Sequence, residues 1–402
     1  MQVIYTAAHA VPSSESIPLG GGAAIARRLA AEWTRTQPFR LNVIGPSILG
    51  NAAPTGRDIV SFSESAYARF CGAFERATTE EILRHDPGNT VVLANDISEG
   101  PDFARLHAAG FRTAAIFHVD VVDYIASIYL RGWVRPETTV RWFARLRHLP
   151  MPQILKLIWQ KQGDCVRYAN HLIVPSAAMK ATLERCYPTH APEKVLVLPW
   201  GSEPVQPGLP ADLRNELNIP HNAKVLLTLS RISPEKGQHL LLQSLLNWER
   251  SATPPQEPIH LLLCGEAAYM QGRKYAQKLH SLAAQLRHIR IHFPGHVSGL
   301  RKAACFALAD LYIFPSIHES YGLTLMEALA AGLPAICLPS HGSTEVMPPD
   351  CGAIVTPDAL WPTIRHWLAD ESLRTKAGIN AAAFAASHTF ALTAQQLARH
   401  IQ

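Results

Sequence analysis

The stretch from Ile313 to Ala331, IFPSIHESYGLTLMEALAA, constrains the rest of the chain most. An apolar segment closes at Phe314 and Pro315, a polar turn spans Ile317 to Tyr321, and a helix-favouring run opens at Gly322. Strand, turn and helix in that order are the unit of a parallel sheet, whose neighbouring strands need crossover connections. The first amides of such a helix have no intrahelical partner and lie at the positive end of its dipole, so the junction suits a phosphate. Two carboxylates bracket it. Glu319 stands in the turn, and Glu327 follows Gly322 by five residues, about 7.5 Å along the axis at ~1.5 Å per residue. Glu327 therefore reaches past phosphates held at the helix start, towards a sugar. An acid near a helix start also serves as plain dipole compensation, so turn and helix alone leave both readings open.

Seven residues, SYGLTLM, separate Glu319 from Glu327, and EALAAGLPAI begins at the second acid. This pattern resembles the E-x7-E signature of retaining nucleotide-sugar glycosyltransferases of family 4. Those enzymes have the GT-B fold, an α/β architecture of two Rossmann-like parallel-sheet domains facing across a cleft. The resemblance implies that Glu319 touches the hydroxyls of the donor sugar. It implies further that the amides of Gly322, Leu323 and Thr324 hold the diphosphate, and that Glu327 binds the ribose hydroxyls.

A chain of 402 residues is long for one core and favours two domains, or three. No uninterrupted apolar run approaches the ~20 residues of a membrane span, although hydrophobic residues make up 48%. The segment MQVIYTAAHA has neither a basic leader nor a signal-type apolar core, so the expected location is cytoplasmic. Seven cysteines, scattered and without a C-x-x-C pair, indicate neither a disulfide framework nor a zinc site and read as small buried apolar residues. A net charge of +5 suits an anionic nucleotide or an acidic membrane surface but falls short of a nucleic-acid signature, so no nucleic-acid partner is expected.

Strand-like segments at Gln2–Thr6, Leu41–Ile44, Thr90–Leu93 and Thr113–Phe117 alternate with helix-compatible ones such as Ser65–Ile82 and Phe103–Ala109, which predicts a parallel sheet. After the first strand, Gly20, Gly21 and Gly22 precede AAIARRLAAEW. The order is not G-x-G-x-x-G, so the dinucleotide fingerprint is absent and a plain strand-to-helix turn is the simpler reading. The family resemblance instead implies that Gly21 and Gly22 face the donor phosphates. His118 closes the strand in AAIFHVD, where ligands of open α/β sheets collect. A lone histidine there is usually structural, but the resemblance implies that His118 positions the donor sugar.

Between Arg131 and Lys161, seven basic residues (Arg131, Arg135, Arg141, Arg145, Arg147, Lys156 and Lys161) interleave with Trp133, Trp142, Phe143, Leu155, Ile158 and Trp159. The favoured reading is a pair of amphipathic helices that pack their aromatic faces into the first domain and keep the bases in solvent. The other is a peripheral contact with an anionic membrane, on its inner face. Two further strands, in NHLIVPSAAMK and KVLVLPW, bring in Ser176 and a W-G-S-E segment, residues 200–203, where the family has N-G-V-D; only Gly201 matches. Residues 204–210, rich in proline and glycine, read as a linker. This gives an acceptor domain at 1–203, a donor domain at 211–387, and a last helix, about 388–402, packed back on the first domain.

The pattern restarts with a strand at Lys224–Leu229 and the turn RISPEKG before a helix from Gln238 to Leu246. Arg231 and Lys236, five apart on a loop at a strand's carboxyl end, can grip a diphosphate as a fork and a point charge. S-R-x-x-x-x-K-G also resembles the family's diphosphate clamp. HLLLCGE is the next strand, and its Gly265 would pass close to the donor. The resemblance implies that the backbone at His296 and Val297 bonds the base, and that Gly342 and Glu345 form a glycine turn and acid. Leu333–Leu338 is expected to be a buried strand, and Trp361–Ala377 and Thr393–Ile401 to be helical.

Together these readings predict a glycosyltransferase that moves a hexose-type sugar from a UDP- or GDP-sugar to a hydroxyl of a glycan, a lipid-linked or a small-molecule acceptor. No D-x-D metal motif is present, Asp120 and Asp123 being three apart, so no metal or other cofactor is expected and Arg231, Lys236 and the helix amides carry the leaving-group charge. Alternatives are a nucleotide-sugar-binding scaffold of this fold without catalysis and a nucleotide-sugar 2-epimerase.

Overall fold

The computed structural model describes residues 1–8, 20–55, 58–59, 62–130, 132–203, 211–251, 257–267 and 269–402. Arg131 and the linker 204–210 thus lie outside the described residues. The chain forms two compact units, Met1–Pro199 with Ala391–Gln402, and Trp200–Phe390.

The first unit is built on a six-stranded sheet in the order β2-β1-β3-β4-β5-β6. Its strands are β1 (Gln2–Thr6), β2 (Arg40–Ile44), β3 (Thr90–Ala94), β4 (Arg112–Ile116), β5 (His171–Val174) and β6 (Val195–Val197), all paired in parallel. β3, TVVLA, is buried along its whole length, as expected of a strand covered on both faces, and this is why such strands read as continuous apolar runs. Helix α1 (Gly21–Thr36) packs Ala23, Ile25, Ala26, Leu29 and Trp33 inward. The last helix, Phe390–Ile401, joins this unit from Ala391 onward: Trp33 Nε1 donates to the Ala394 carbonyl (3.0 Å) and Thr393 Oγ1 to that of Pro199 (3.0 Å).

The second unit repeats the plan in the order β12-β11-β10-β7-β8-β9. Its strands are β7 (Lys224–Leu229), β8 (Ile259–Cys264), β9 (Ile289–Gly295), β10 (Leu311–Phe314), β11 (Ala335–Cys337) and β12 (Gly352–Ile354), again all parallel. Chain order reverses between β7 and β10, so the loops that leave these two strands are neighbours at their carboxyl ends. Crevices at such switch points are where open α/β sheets hold ligands.

Several details differ from the sequence reading. Trp361–Ala377 is not one helix: Leu360–Ala369 ends and Glu371–Ser387 begins at Asp370, whose carboxylate accepts from Leu373 N (2.9 Å) and caps the second helix. Trp200 to Glu203 fall within the second unit. There Trp200 stacks on Phe390 (6.3 Å between centroids), and Ser202 bridges Thr389. A Cβ on Gly201 would lie 2.2 Å from the Thr389 carbonyl carbon, so only glycine fits. That gives Gly201 a packing reason where the family pattern otherwise departs.

Lys161, read as solvated, is buried: it pairs with Glu75 and donates to the carbonyls of Gly100 (2.7 Å) and Pro101 (3.1 Å). The helices α2 (Pro136–Leu146) and α3 (Gln153–Tyr168) do pack Phe143 on Trp159, with centroids 6.1 Å apart. Trp133, Trp142, Leu146 and Leu149, however, face solvent. All seven cysteines are free and buried. No described helix is long and apolar enough to cross a membrane.

Candidate donor site

The β7 loop is held to the β10 loop by backbone. Ile317 N donates to the Glu235 carbonyl (3.0 Å), and Gly237, at φ 65°, lets the two strands of chain close up. A Cβ there would sit 1.9 Å from the Pro315 oxygen, so a side chain is excluded both by backbone conformation and by space. Gln238 fixes the loop from behind, its Nε2 donating to Ser230 Oγ (2.9 Å) and to the Arg231 carbonyl (2.7 Å).

This stapling brings together three of the residues singled out by sequence. Lys236, on the β7 loop, forms an ion pair with the carboxylate of Glu319, on the β10 loop. Arg231 stands on the same loop, one-third exposed, with Nη2 3.9 Å from Glu235 Oε1. Glu235 itself is buried and accepts from Ser233 Oγ (2.6 Å), so it braces the turn below its two cationic neighbours.

The helix α4 (Leu323–Ala330) follows, with Gly322 as its N-cap at φ 94° and ψ 58°. Glycine supplies no capping side chain, and the first turn holds no acid, so the amides of Leu323 and Thr324 keep their donor capacity and dipole for an incoming anion. A Cβ on Gly322 would lie 3.2 Å from the Phe314 ring. Below the turn, Tyr312 donates to the Leu229 carbonyl (3.1 Å) and its hydroxyl also meets Thr324. Gly342 N donates to the Glu319 carbonyl (2.7 Å), and a Cβ on Gly342 would sit 2.6 Å from Tyr321 backbone, so the glycine turn fixes the Glu319 backbone from its far side.

Glu327, deeper in α4, is mostly buried and accepts from Lys302 Nζ (2.8 Å), a residue of the helix Gly299–Leu308. That helix follows His296 and Val297 directly. Val297 is buried, and His296 Nε2 is buried with no protein group bonded to it. Gly265 has a structural reason beside its proposed one: at φ 144° its Cβ position falls 1.9 Å from the Ser230 oxygen, and its N–H donates to the Gly295 carbonyl (2.8 Å).

In the first unit, Gly21 and Gly22 are the first helical residues of α1, with Gly20 as N-cap at φ 124°, and so lie inside the helix and not in a loop before it. Gly22 touches the histidine singled out with it: a Cβ there would lie 2.9 Å from His118 Cδ2. Asn95, at the end of β3, links them, since its Oδ1 lies 3.2 Å from His118 Nε2 and its Nδ2 donates to the Gly22 carbonyl (3.3 Å). Tyr5, under the cluster, donates to the same Asn95 oxygen at 2.5 Å. Two residues on, Asp120 serves its own helix: Oδ1 accepts from Val122 N, Asp123 N and Gln162 Nε2, each at 3.0 Å, and burial raises its carboxyl to about 6.

Residues 211–384 match the family described as glycosyl transferases group 1. The match lies within the second unit and covers less than half of the chain. A D-inositol 3-phosphate glycosyltransferase of Corynebacterium urealyticum is 31% identical over 248 residues, 59% of this chain and 57% of that protein. A lipopolysaccharide 1,2-N-acetylglucosaminetransferase of Salmonella typhimurium is 32% identical over 180 residues, 43% of this chain and 45% of that protein. The chain thus spans about half the length of the curated relatives it matches. Among solved structures, Anabaena HepE in complex with UDP and glucose superposes with a TM-score of 0.67 at 17% identity, over 99% of this chain and 98% of that one. At that identity the likeness speaks to fold, and the fold is GT-B, with two six-stranded parallel sheets flanked by helices.

Asn95, Glu235, Gly237 and Lys302 were not singled out from sequence. Gly237 had a signal, the K-G that ends the clamp motif. Lys302 had none, because a lysine on a helix ordinarily reads as solvated surface.

Proposed function

We propose that this protein is a retaining glycosyltransferase of family 4 that moves a hexose-type sugar from a UDP- or GDP-sugar to an acceptor hydroxyl. The observation that carries this reading is the meeting of Lys236, Arg231, Glu319 and the uncapped start of α4 at the β7/β10 switch point. Two cations and a helix dipole at one point answer the charge that grows on a departing diphosphate without a metal. Glu319 stands beside the sugar, His118 positions it, Glu327 takes the ribose hydroxyls, and the backbone at His296 and Val297 takes the base. In the step proposed, the bond from the anomeric carbon to the β-phosphate oxygen breaks and a bond to the acceptor oxygen forms on the same face. The acceptor proton passes to the leaving phosphate, so no side-chain base is required. The UDP and glucose held by HepE favour a UDP-sugar donor, and the names of the curated relatives favour a polyol or glycan acceptor. Turnover that survives EDTA supports this chemistry, and an absolute need for a divalent ion overturns its metal-free form.

A second reading concerns where the acceptor is met. Trp133 is 88% exposed, and Trp142, Leu146 and Leu149 are exposed beside Arg141, Arg145 and Arg147. Apolar and cationic side chains on one helix and the turns at its two ends suit the boundary of an anionic bilayer, so we infer a peripheral contact with the cytoplasmic face of a membrane. Sedimentation with anionic vesicles should fall with salt, each basic residue contributing roughly 1 kcal/mol, and should be lost when the three arginines become glutamine. A wild type that fails to sediment at low salt ends this reading.

A further inference from the structure

We propose that Lys302 is a positioning residue for the ribose of the bound nucleotide and acts through Glu327; this rests on the donor-site reading above. Glu327 is the fifth residue of α4, past the first turn, so the helix dipole that favours an anion at Leu323 and Thr324 does little for it. Burial makes a carboxylate there costly unless another group answers its charge. Lys302 supplies that answer from a different helix: Nζ lies 2.8 Å from Oε1, with the lysine side chain 28% exposed and the glutamate side chain 11%. A charge-assisted bond of this length fixes one carboxylate oxygen and with it the plane of the group.

The geometry matters because a ribose offers two vicinal hydroxyl donors. A carboxylate turned to accept from both distinguishes ribose from deoxyribose, and one free to rotate does so poorly. Lys302 lies within a helical turn of Ser298, which follows the proposed base-contacting residues His296 and Val297. One short helix therefore carries the link between base recognition and ribose recognition. The ammonium itself need not touch the ligand.

The test is a titration of wild type, Lys302→Met, Lys302→Arg and Glu327→Gln with UDP, 2′-deoxy-UDP and inorganic pyrophosphate, together with steady-state kinetics for the donor. Wild type should prefer UDP over its deoxy analogue by roughly tenfold, the loss expected when a charged acceptor is left without its donor. In Lys302→Met that preference should fall to the level of Glu327→Gln and the donor KM should rise. Pyrophosphate affinity and kcat at saturating donor should stay within about twofold, which also reports an intact fold. Lys302→Arg should recover most of the preference. If Lys302→Met keeps the wild-type preference while Glu327→Gln loses it, Lys302 is only structural and the inference is wrong. If Glu327→Gln also keeps it, the ribose assignment of Glu327 fails and the inference fails with it.

Discussion

Replacing Lys236 with methionine tests the coupling at the centre of the site, because the lysine is paired with Glu319 across 83 residues of sequence. The lysine side chain is 10% exposed and its partner 20%, so the pair is neither fully screened nor fully desolvated. A charge-assisted bond contributes about 1.5 to 3 kcal/mol, and the glutamate's partial exposure brings the expected loss of stability to about 1 to 2 kcal/mol. Glu319→Gln should lose a similar amount. The double variant should lose little more than either, which gives a coupling energy of about 1 kcal/mol or more in urea unfolding. Ligand binding should weaken as well. With Lys236 gone, the Glu319 carboxylate faces the diphosphate uncompensated, and affinity for the nucleoside diphosphate should drop by at least about tenfold, or ~1.4 kcal/mol. Glu319→Gln in that background removes the repulsion and should restore part of the loss. Calorimetric titration of wild type, both single variants and the double variant measures this directly. If Glu319→Gln weakens the diphosphate further when Lys236 is already absent, the charge argument is wrong.

Three further expectations follow from single positions. Glu319→Gln alone should lower kcat with little change in diphosphate affinity, whereas Glu327→Gln should chiefly raise the donor KM, and the reverse pattern would exchange their roles. Gly22→Ala gains up to about 1 kcal/mol of helix propensity but pushes the His118 ring from a site 2.9 Å away. Stability should therefore hold while kcat falls ~10-fold or more, and an unchanged kcat would remove His118 from the sugar site. Burial lifts the Asp120 carboxyl from 3.8 to about 6. Its folded value lies above its unfolded one, so its contribution is full below pH ~4 and is lost as pH rises through about 6. Asp120→Asn should gain on wild type between those limits by at most about 3 kcal/mol, and parallel pH profiles in urea unfolding would contradict this.

The strands were the most legible part of this chain. Gln2–Thr6 and Lys224–Leu229 were read to their last residue, because a parallel strand covered on both faces is a short unbroken apolar run between turn signals. The break at Asp370 was not, since the apolar spacing of Trp361–Ala377 continues across it and a single aspartate can as well lie on a solvated helix face. Among site residues, the clamp motif and the acid pair were visible one loop at a time. Their pairing was not, because Lys236 meets Glu319 only through the β7/β10 neighbourhood, a property of strand order and not of either motif. Lys161 shows the opposite error, a base assigned to solvent by its position in an amphipathic run that the fold uses to satisfy two carbonyls and Glu75.

The central claim, a nucleoside diphosphate sugar held at the β7/β10 switch point, is tested most directly by calorimetric titration of wild type and Arg231→Ala with UDP-, GDP- and ADP-sugars. The account predicts that at least one of them binds wild type at one per chain and that Arg231→Ala weakens it by at least about tenfold, the loss of one forked, charge-assisted contact to phosphate. Failure of all three to bind, or equal binding by the variant, would contradict it.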